Sequence, residues 1–456
     1  MKNKSIFKYI LYVIVVFIIL YIIYLGNVRS ERFYPNVNAL NIYPQKITQQ
    51  SLNSVKNYVF GNGYLNKVFS FNTNNSIVST PSIVNGVAYF GANNDYVYAI
   101  SASTGKLIWK YKTVNQVMTQ PLVVNGMVFV GAGNNFFQKG NKIRGTGKSG
   151  VYALSSKTGS LIWSHSTKGE DMPTFAYKKN VIYVANGNST FYALSAKTGK
   201  TYWKRNLPGV VSMSSIDLSK NTAYFGVGNI NSMQSLVAVN IKNTKILWVS
   251  PLYHSFGGAT DNSPASNSHY VAISAMDLSK TINKFNQVLY IINKNTGQIV
   301  GTHILGFGIR PKNMETSNAL IVGNNVYIGN TVGKGRFYSF NINSGKMNWM
   351  IKLYGDQKGT PVLSHGILYF GDAFSNFYAV YAKNGDILGV HRFIDPKNKM
   401  NGFTASDTAL VNNEIYIGNL NGILYAFPVN YIYDYPFEFM KYQIWSTFDQ
   451  IFHSRL

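Results

Sequence analysis

The stretch ALSSKTGSLIW (153–163) decides the fold, because closely similar stretches occur at AISASTGKLIW (99–109) and ALSAKTGKTYW (193–203). In each copy an apolar run is followed by a polar turn that ends in Gly, and a Trp comes four residues later. Short apolar runs on both sides of a Gly-containing turn predict two antiparallel strands. The first of these runs occurs at VYAI (97–100), VYAL (151–154), FYAL (191–194), LVAV (236–239), LYII (289–292), FYSF (337–340), FYAV (377–380) and LYAF (424–427).

These copies form one regular repeat. Ala99 and Ala426 are 327 residues apart over seven steps, so the mean period is about 47 residues. A second β-like run, such as VNGVAYFG (84–91), precedes each copy, and no helical periodicity appears. A period of this length with four short strands predicts an all-β, eight-bladed β-propeller in which each Trp packs between neighbouring blades. The segment LNKVFSFNT (65–73) is predicted to supply the outer strand that the last copy lacks, which closes the ring and removes an exposed edge.

The N-terminus carries a candidate membrane segment. Tyr9–Leu25 is almost wholly apolar and follows three lysines, so a transmembrane helix within 1–28 is expected, with an exported remainder. A cleaved signal peptide is the alternative, although LGNVRS is a poor cleavage site. The expected domains are this segment, a stalk at 29–60, the propeller at 61–428 and a C-terminal tail at 429–456.

The charge balance is unusual because acids are scarce. Lys and Arg total 42, Asp and Glu only 17, and the formal net charge is +25. Basic residues are present at an ordinary frequency and form no dense block, so we expect no nucleic-acid partner. The chain has no Cys, which excludes disulfides and thiolate metal sites.

The repeat resembles the A-x-D-x-x-T-G-x-x-x-W motif of the pyrroloquinoline-quinone-type propeller family, over roughly residues 65–427. The motif's Asp is replaced in every copy. Ser and Asn still bind the turn backbone but do not titrate, so they keep their role at a pH where a carboxylate would be protonated. This pattern indicates an acidic exterior, and compositional drift toward Asn and Lys is the alternative. The replacements are Ser101, Ser155, Ser195, Asn240, Asn293, Asn341 and Tyr381.

The resemblance implies several functions on one fold. The family contains quinoprotein dehydrogenases, an outer-membrane assembly scaffold and sulfur-compound hydrolases. A dehydrogenase would need a vicinal disulfide and a calcium cage, which a Cys-free, acid-poor chain does not offer, so no cofactor is expected. The acid-adapted composition favours an exported hydrolase of a sulfur oxyanion, similar to the tetrathionate hydrolases of acidophiles. A non-catalytic surface scaffold is the alternative.

Candidate site residues come from loops that lead into each innermost strand, because these loops line the channel mouth. The longer loops are predicted at 250–268 and 301–318. Asp261 and Asp407 are the candidate general base and acid, with turn capping as the alternative role. The candidate substrate-binding residues are Arg310, Lys312, Lys358 and His254.

The predicted partners follow from these residues. A positive field attracts a small anionic substrate, and the N-terminal segment binds the membrane. The seven His residues show no metal-ligand spacing, so no metal site is expected. The sequence leaves open whether the protein forms a homo-oligomer.

Overall fold

Each repeat forms one small antiparallel sheet, and eight sheets make up the part of the chain that the computed structural model describes. The described residues are 68–432, except 141, 230–232, 279–283, 310–315, 334, 394–401 and 404–405. This confirms the all-β, eight-bladed propeller. The predicted segment 1–28, the stalk and the tail beyond 432 lie outside the described residues. Among residues 68–432, as far as the structure describes them, no helix is long and apolar enough to cross a membrane.

Within a blade, the strands follow one another from the channel outward. Blades 1 to 4 comprise β2 (Ser82–Val84), β3 (Val87–Gly91), β4 (Tyr96–Ser101), β5 (Leu107–Lys112); β6 (Leu122–Val124), β7 (Met127–Ala132), β8 (Ser149–Ser155), β9 (Leu161–Thr167); β10 (Ala176–Lys178), β11 (Val181–Asn186), β12 (Thr190–Ser195), β13 (Thr201–Asn206); and β14 (Asp217–Ser219), β15 (Thr222–Val227), β16 (Gln234–Asn240), β17 (Ile246–Leu252).

Blades 5 to 8 repeat this order, with additions in blade 5. They comprise β18 (Ser255–Gly257), β19 (Ala265–Ser266), β20 (Tyr270–Leu278), β21 (Lys284–Asn293), β22 (Ile299–Ile309); β23 (Leu320–Val322), β24 (Asn325–Gly329), β25 (Arg336–Asn341), β26 (Met347–Lys352); β27 (Val362–Ser364), β28 (Ile367–Gly371), β29 (Asn376–Tyr381), β30 (Ile387–Arg392); and β31 (Ala409–Val411), β32 (Glu414–Gly418), β33 (Ile423–Pro428), the last blade being completed by β1 (Phe69–Asn72).

The ring closes through the N-terminal strand, as predicted. Strand β1 pairs antiparallel with β33, and Phe69 lies opposite Ala426. The Phe69 ring also lies against Gly105 of blade 1, where an added Cβ would be 2.5 Å from Phe69 Cδ2. The first and last blades are thereby joined, and β33 has no open edge.

The repeated Trp packs between blades, which confirms the prediction. The Trp163 ring lies over Gly199 of the next blade, and its indole N–H donates to the Ala196 carbonyl at 2.9 Å. Trp349 makes the equivalent bond to Ala382 at 3.0 Å. Gly is required at 199 because φ is +69° and a Cβ would contact the indole at 2.5 Å.

The Ser and Asn residues that replace the motif Asp hold the blade turns, as expected, whereas the Tyr381 side chain makes no such bond among those described. Ser155 Oγ accepts a hydrogen bond from the Thr158 N–H at 3.3 Å. Asn293 Oδ1 accepts from the N–H groups of Asn295 and Thr296 at 3.0 and 3.1 Å. These bonds come from groups that do not titrate, so the turns do not depend on pH.

Blade 5 differs from the prediction. Strand β18 pairs with β20 as a fifth strand, and β22 is an 11-residue strand paired with β21. The predicted loops at 250–268 and 301–318 are therefore strand at 250–252, 255–257, 265–266 and 301–309. The length of these stretches indicated a loop, but residues 250–252 extend β17, β18 and β19 pair with β20, and β22 pairs with β21.

Candidate functional site

The loops that enter the innermost strands line one mouth of the central channel. Each loop contributes one residue at each of two successive levels of the channel. The mouth level consists of the residue four positions before the innermost strand, which is Val78 in blade 1. The second level consists of the residue two positions before that strand, which is Thr80 in blade 1. The cavity at this end has a volume of about 60 Å³. The side chains that line it at the second level include Thr80, Gln120, Thr174, Ser215, Ser263, Asn318 and Asp407.

The mouth level has an apolar half and a polar half. Blades 1 to 4 contribute Val78, Met118, Met172 and Met213, which form one apolar cluster. Blades 5, 6 and 7 contribute Asp261, Thr316 and Lys358. The equivalent residue of blade 8, number 405, is outside the described part. The channel therefore presents a carboxylate and an ammonium group opposite a wall of thioether and methyl groups.

Asp407 belongs to the second level and connects several blades. Its Oδ1 accepts hydrogen bonds from the Thr360 N–H and from Asn318 Nδ2, the latter at 3.2 Å. Its own N–H donates to Thr80 Oγ1 at 3.0 Å. Burial raises the pKa of the Asp407 carboxyl, while these donors lower it. The carboxylate binds the loop of the neighbouring blade, so it has a role beyond capping its own turn.

Asp261 lies at the mouth level, one level above Asp407, although similar flanking residues suggest equivalent positions. Arg144 Nη1 lies 3.0 Å from Asp261 Oδ1, and Thr260 Oγ1 donates to its Oδ2 at 3.1 Å. Arg144 comes from the excursion between β7 and β8, which crosses the same face of the ring. An arginine from blade 2 thereby holds the carboxylate of blade 5.

The same arginine contacts a fully buried acid. Arg144 Nε lies 3.4 Å from Glu170 Oε1, and the Glu170 side chain has no exposed surface. Burial raises the pKa of Glu170 to about 8, although Arg144 lowers it. The neighbouring Asp171 accepts a hydrogen bond from Thr167 Oγ1, and burial raises its pKa to about 7. Both acids therefore carry a proton at acidic pH.

Lys358 at the mouth has an acidic neighbour in its own loop. Burial raises the pKa of Asp356, and the positive charge of Lys358 lowers it. When Asp356 takes up its proton in acid, it no longer neutralises the ammonium group. The mouth therefore becomes more attractive to an anion as the pH falls.

The structure brings together Asp261, Asp407 and Lys358 of the predicted site residues. Arg310 and Lys312 lie outside the described residues. His254 lines a different cavity, between the outer parts of blades 4 and 5, with Asp277 and Tyr290. Tyr290 donates to Asp277 Oδ2 at 2.5 Å, and burial raises the pKa of Asp277 to about 7.

Sequence reasoning missed Arg144 and the methionines. Arg144 lies in the glycine-rich, basic stretch 131–150, which connects β7 to β8. The position of Arg144 in the chain could have indicated this role. In a blade, the connection between the second and third strands lies on the same face of the ring as the loops that line the channel. The loops before the innermost strands were predicted to contribute charged residues to the channel, and that prediction did not include Met118, Met172 and Met213.

The channel residues do not fit the quinone cofactor for which the repeat is named. Among the described residues no three His, Asp or Glu side chains come together as a metal site. The chain has no Cys for the vicinal disulfide that would clamp the quinone.

The chain is similar in sequence to known proteins over most of its length. The family described as outer membrane protein assembly factor BamB matches residues 66–146, 147–389 and 285–428. A tetrathionate hydrolase of Acidithiobacillus ferrooxidans is 27% identical over 373 residues, which are 77% of this chain and 72% of that protein. A tetrathionate hydrolase of Acidianus ambivalens is 27% identical over 304 residues, 62% of this chain and 55% of that one, so the chain spans about half of its length.

Solved structures support the fold alone. BamB from Moraxella catarrhalis superposes with a TM-score of 0.58 at 14% identity, covering 79% of this chain and 99% of that one. Quinohemoprotein alcohol dehydrogenase from Comamonas testosteroni gives 0.57 at 15% identity, covering 80% and 76%. At such identities the same ring serves unrelated activities.

Proposed function

We propose that this chain, which belongs to the family described as outer membrane protein assembly factor BamB, is a hydrolase that cleaves a sulfur oxyanion at the mouth of the propeller's channel. The observation that carries this proposal is the convergence of Asp261, Lys358 and Asp407 on one small cavity. The two relatives named tetrathionate hydrolase support tetrathionate as the substrate.

Lys358 binds one terminal sulfonate group in this proposal. The net charge of +25 draws a dianion toward the protein. Arg310 and Lys312 are proposed to hold the second sulfonate group. Protonation of Asp356 in acid strengthens this attraction, because the carboxylate that competes with the substrate for Lys358 becomes neutral.

The two channel aspartates divide the proton transfers. Asp261, kept near Arg144, accepts a proton from water, whose oxygen adds to a terminal sulfonate sulfur. The bond from that sulfur to the next sulfane sulfur breaks, and the electron pair leaves with the sulfane fragment. Asp407, whose pKa is raised by burial, donates the proton that this fragment takes up. One water is consumed, and the products are sulfate and a sulfane monosulfonate.

The protein is also proposed to act outside the cytoplasm of an organism that lives in acid. The apolar segment 1–28 would export it and anchor it in the membrane, or be cleaved. The scarcity of acids and the raised pKa values of buried carboxyls support exposure to low pH. The groups with raised pKa are Glu170, Asp171, Asp217, Asp277, Asp356, Asp372 and Asp407.

The decisive experiment is an assay of the purified full chain with tetrathionate from pH 1 to 7. We expect turnover that increases toward acid, and a loss of about 100-fold in kcat for Asp407→Asn and for Asp261→Asn. Asp386→Asn, in an exposed blade turn, is the matched control and should keep the wild-type rate. Activity that survives both channel substitutions would overturn the assignment of these residues.

A scaffold is the second candidate, and the family's description as an assembly factor favours it. A scaffold presents its surface to protein partners and does not turn over tetrathionate. Absence of turnover at every pH, with a folded protein, would favour this alternative.

A further inference from the structure

We propose that the apolar arc at the channel mouth, formed by Val78, Met118, Met172 and Met213, binds the uncharged sulfane sulfurs of a polythionate chain. This inference rests on the proposed function and adds the basis of substrate selectivity. The site then recognises the middle of the substrate, while Lys358 recognises one charged end.

The arc is continuous and buried. Its four residues come from four consecutive blades, and Val78, Met118 and Met172 are 8%, 8% and 2% exposed. They line the same cavity as Lys358 and Asp407. Because blades 3 and 7 are four steps apart in a ring of eight, Met172 lies across the channel from Lys358. A chain with a charged end at Lys358 would have its neutral part beside the thioethers.

The fold does not require apolar residues at these positions. Their equivalents in blades 5, 6 and 7 are Asp261, Thr316 and Lys358, which occupy the same level of the same channel. A blade can therefore take its place in the ring with an acidic, a hydroxyl or a basic residue at this position. Three methionines and a valine in consecutive blades are consequently better explained by a ligand than by packing of the ring.

The chemistry of methionine suits this ligand. Thioethers are polarizable and flexible, and they pack against irregular apolar partners. The sulfane sulfurs of a polythionate carry no formal charge and form weak hydrogen bonds, so they gain from leaving water. The terminal sulfonates are charged and remain hydrated. An anion without sulfane sulfur, such as dithionate, offers the same two ends but nothing for the arc to bind.

The arc also suits a thin chain. Four residues that lie side by side around the channel offer such a chain one continuous apolar surface. Each further sulfane sulfur that reaches the arc adds apolar contact. We therefore expect affinity to rise from dithionate through trithionate to tetrathionate.

The test is a binding titration of the full chain by calorimetry at pH 4, with dithionate and tetrathionate as probes; every protein also carries Asp407→Asn, so that hydrolysis of tetrathionate is slow during the titration. Protein with the wild-type arc should bind tetrathionate at least about tenfold more tightly than dithionate. Met172→Gln and Met118→Gln should each weaken tetrathionate binding about tenfold and leave dithionate binding unchanged, because Gln keeps the length but is polar. Met172→Leu should bind within about threefold of wild type, and Met347→Gln, whose side chain is 55% exposed on an outer strand, should match wild type.

The outcomes separate the two proposals. Equal affinity of wild type for both anions, or unchanged tetrathionate binding in both Gln variants, overturns the role of the arc. Selective binding that the Gln variants lose, without hydrolysis by wild type at any pH, keeps the arc and overturns the hydrolase. Thermal melts of each variant show whether it is folded, and the comparison of dithionate with tetrathionate on the wild-type arc gives the answer if a Gln variant is not.

Discussion

Arg144 and Asp261, 117 residues apart in the chain, form an ion pair at the channel mouth with Nη1 3.0 Å from Oδ1. The arginine also lies 3.4 Å from the buried Glu170 carboxyl. One guanidinium thus joins the excursion of blade 2 to the loops of blades 3 and 5. Gly145, with φ of +101°, allows the excursion to approach closely, since a Cβ there would lie 2.4 Å from the Glu170 nitrogen.

Replacing Arg144 should destabilise the protein in a pH-dependent way. Arg144→Gln leaves Glu170 without its cation; because this carboxyl is about half ionised at pH 8 and then takes up a proton, the loss that depends on its charge is about 0.5 kcal/mol there. At pH 4 Glu170 is protonated, so the loss of stability should be clearly smaller. Urea unfolding at the two pH values measures this difference. Arg205→Gln, on an exposed strand, is the control, and an equal loss for Arg144→Gln at both pH values would contradict the linkage.

Lys358 should determine substrate affinity more than rate. Lys358→Gln removes the charge that holds a sulfonate, so KM for tetrathionate should rise about tenfold with little change in kcat. The effect should shrink at high salt, because salt screens the attraction. Steady-state kinetics at two ionic strengths test this, with the exposed Lys346→Gln as the control. A wild-type KM in Lys358→Gln would exclude the contact.

Thermal stability should fall as the pH rises from 4 to 8. Glu170, Asp171 and Asp277 have folded pKa values of about 8, 7 and 7, above their unfolded values near 4. In this window the folded chain holds protons that the unfolded chain has lost. The stabilisation is thus complete below pH 4 and is lost as the pH passes the folded values.

Three histidines oppose this trend. Burial lowers the pKa of His165 and His303, and that of His391 to about 4, so protonation of the unfolded chain costs stability as the pH falls below about 6.5. The acids with raised pKa outnumber these histidines, and Tm should drop by about 5 °C or more from pH 4 to pH 8. Circular dichroism melts measure this, and Asp277→Asn should reduce the drop. A Tm that is constant or rises with pH would show that these acids are ionised in the folded chain.

Restoring the motif Asp should make a blade turn sensitive to acid. Ser155→Asp gives an ionised cap at pH 7, with stability equal to wild type or slightly higher. Its folded pKa would be lowered by the turn N–H groups, so the gain is lost as the pH falls, and at pH 2 the variant should be about 1 kcal/mol less stable. Ser155→Asn is the control and should behave alike at both pH values. Equal stability of Ser155→Asp and wild type at pH 2 would remove this rationale.

Opening the ring should be costly. Phe69→Ala removes the side chain that packs on Gly105 and Tyr416 across the closure. A loss of about 3 kcal/mol is expected from the cavity, together with faster amide exchange in β33. Hydrogen exchange and chemical unfolding measure both effects. Val68→Ala, 44% exposed, serves as the control, and exchange in β33 no faster than wild type would contradict the closure.

The repeat was predictable because its signals are local. The alternating runs, the turn before Gly and the Trp four residues later lie within about a dozen residues. The runs recur in every blade, and the Trp recurs in blades 1 to 4 and 6. The closing strand was predictable for a related reason, because the last copy lacked one outer strand and the N-terminal segment matched it. The Ser and Asn turn bonds also depend only on neighbours within three residues.

What only the tertiary structure decided depends on residues from different blades meeting in space. Asp261 and Asp407 look alike in the chain, but repeat alignment in the folded ring places them at different levels. Arg144 reaches the mouth from blade 2, and His254 lies beside another cavity, because connections on one face converge whereas outer strands diverge. The sequence by itself determined the ring and its pH-insensitive turns, since both follow from local patterns. The composition of the channel wall was decided by the ring's closure, because an eight-membered ring makes neighbours of residues that are far apart in the chain.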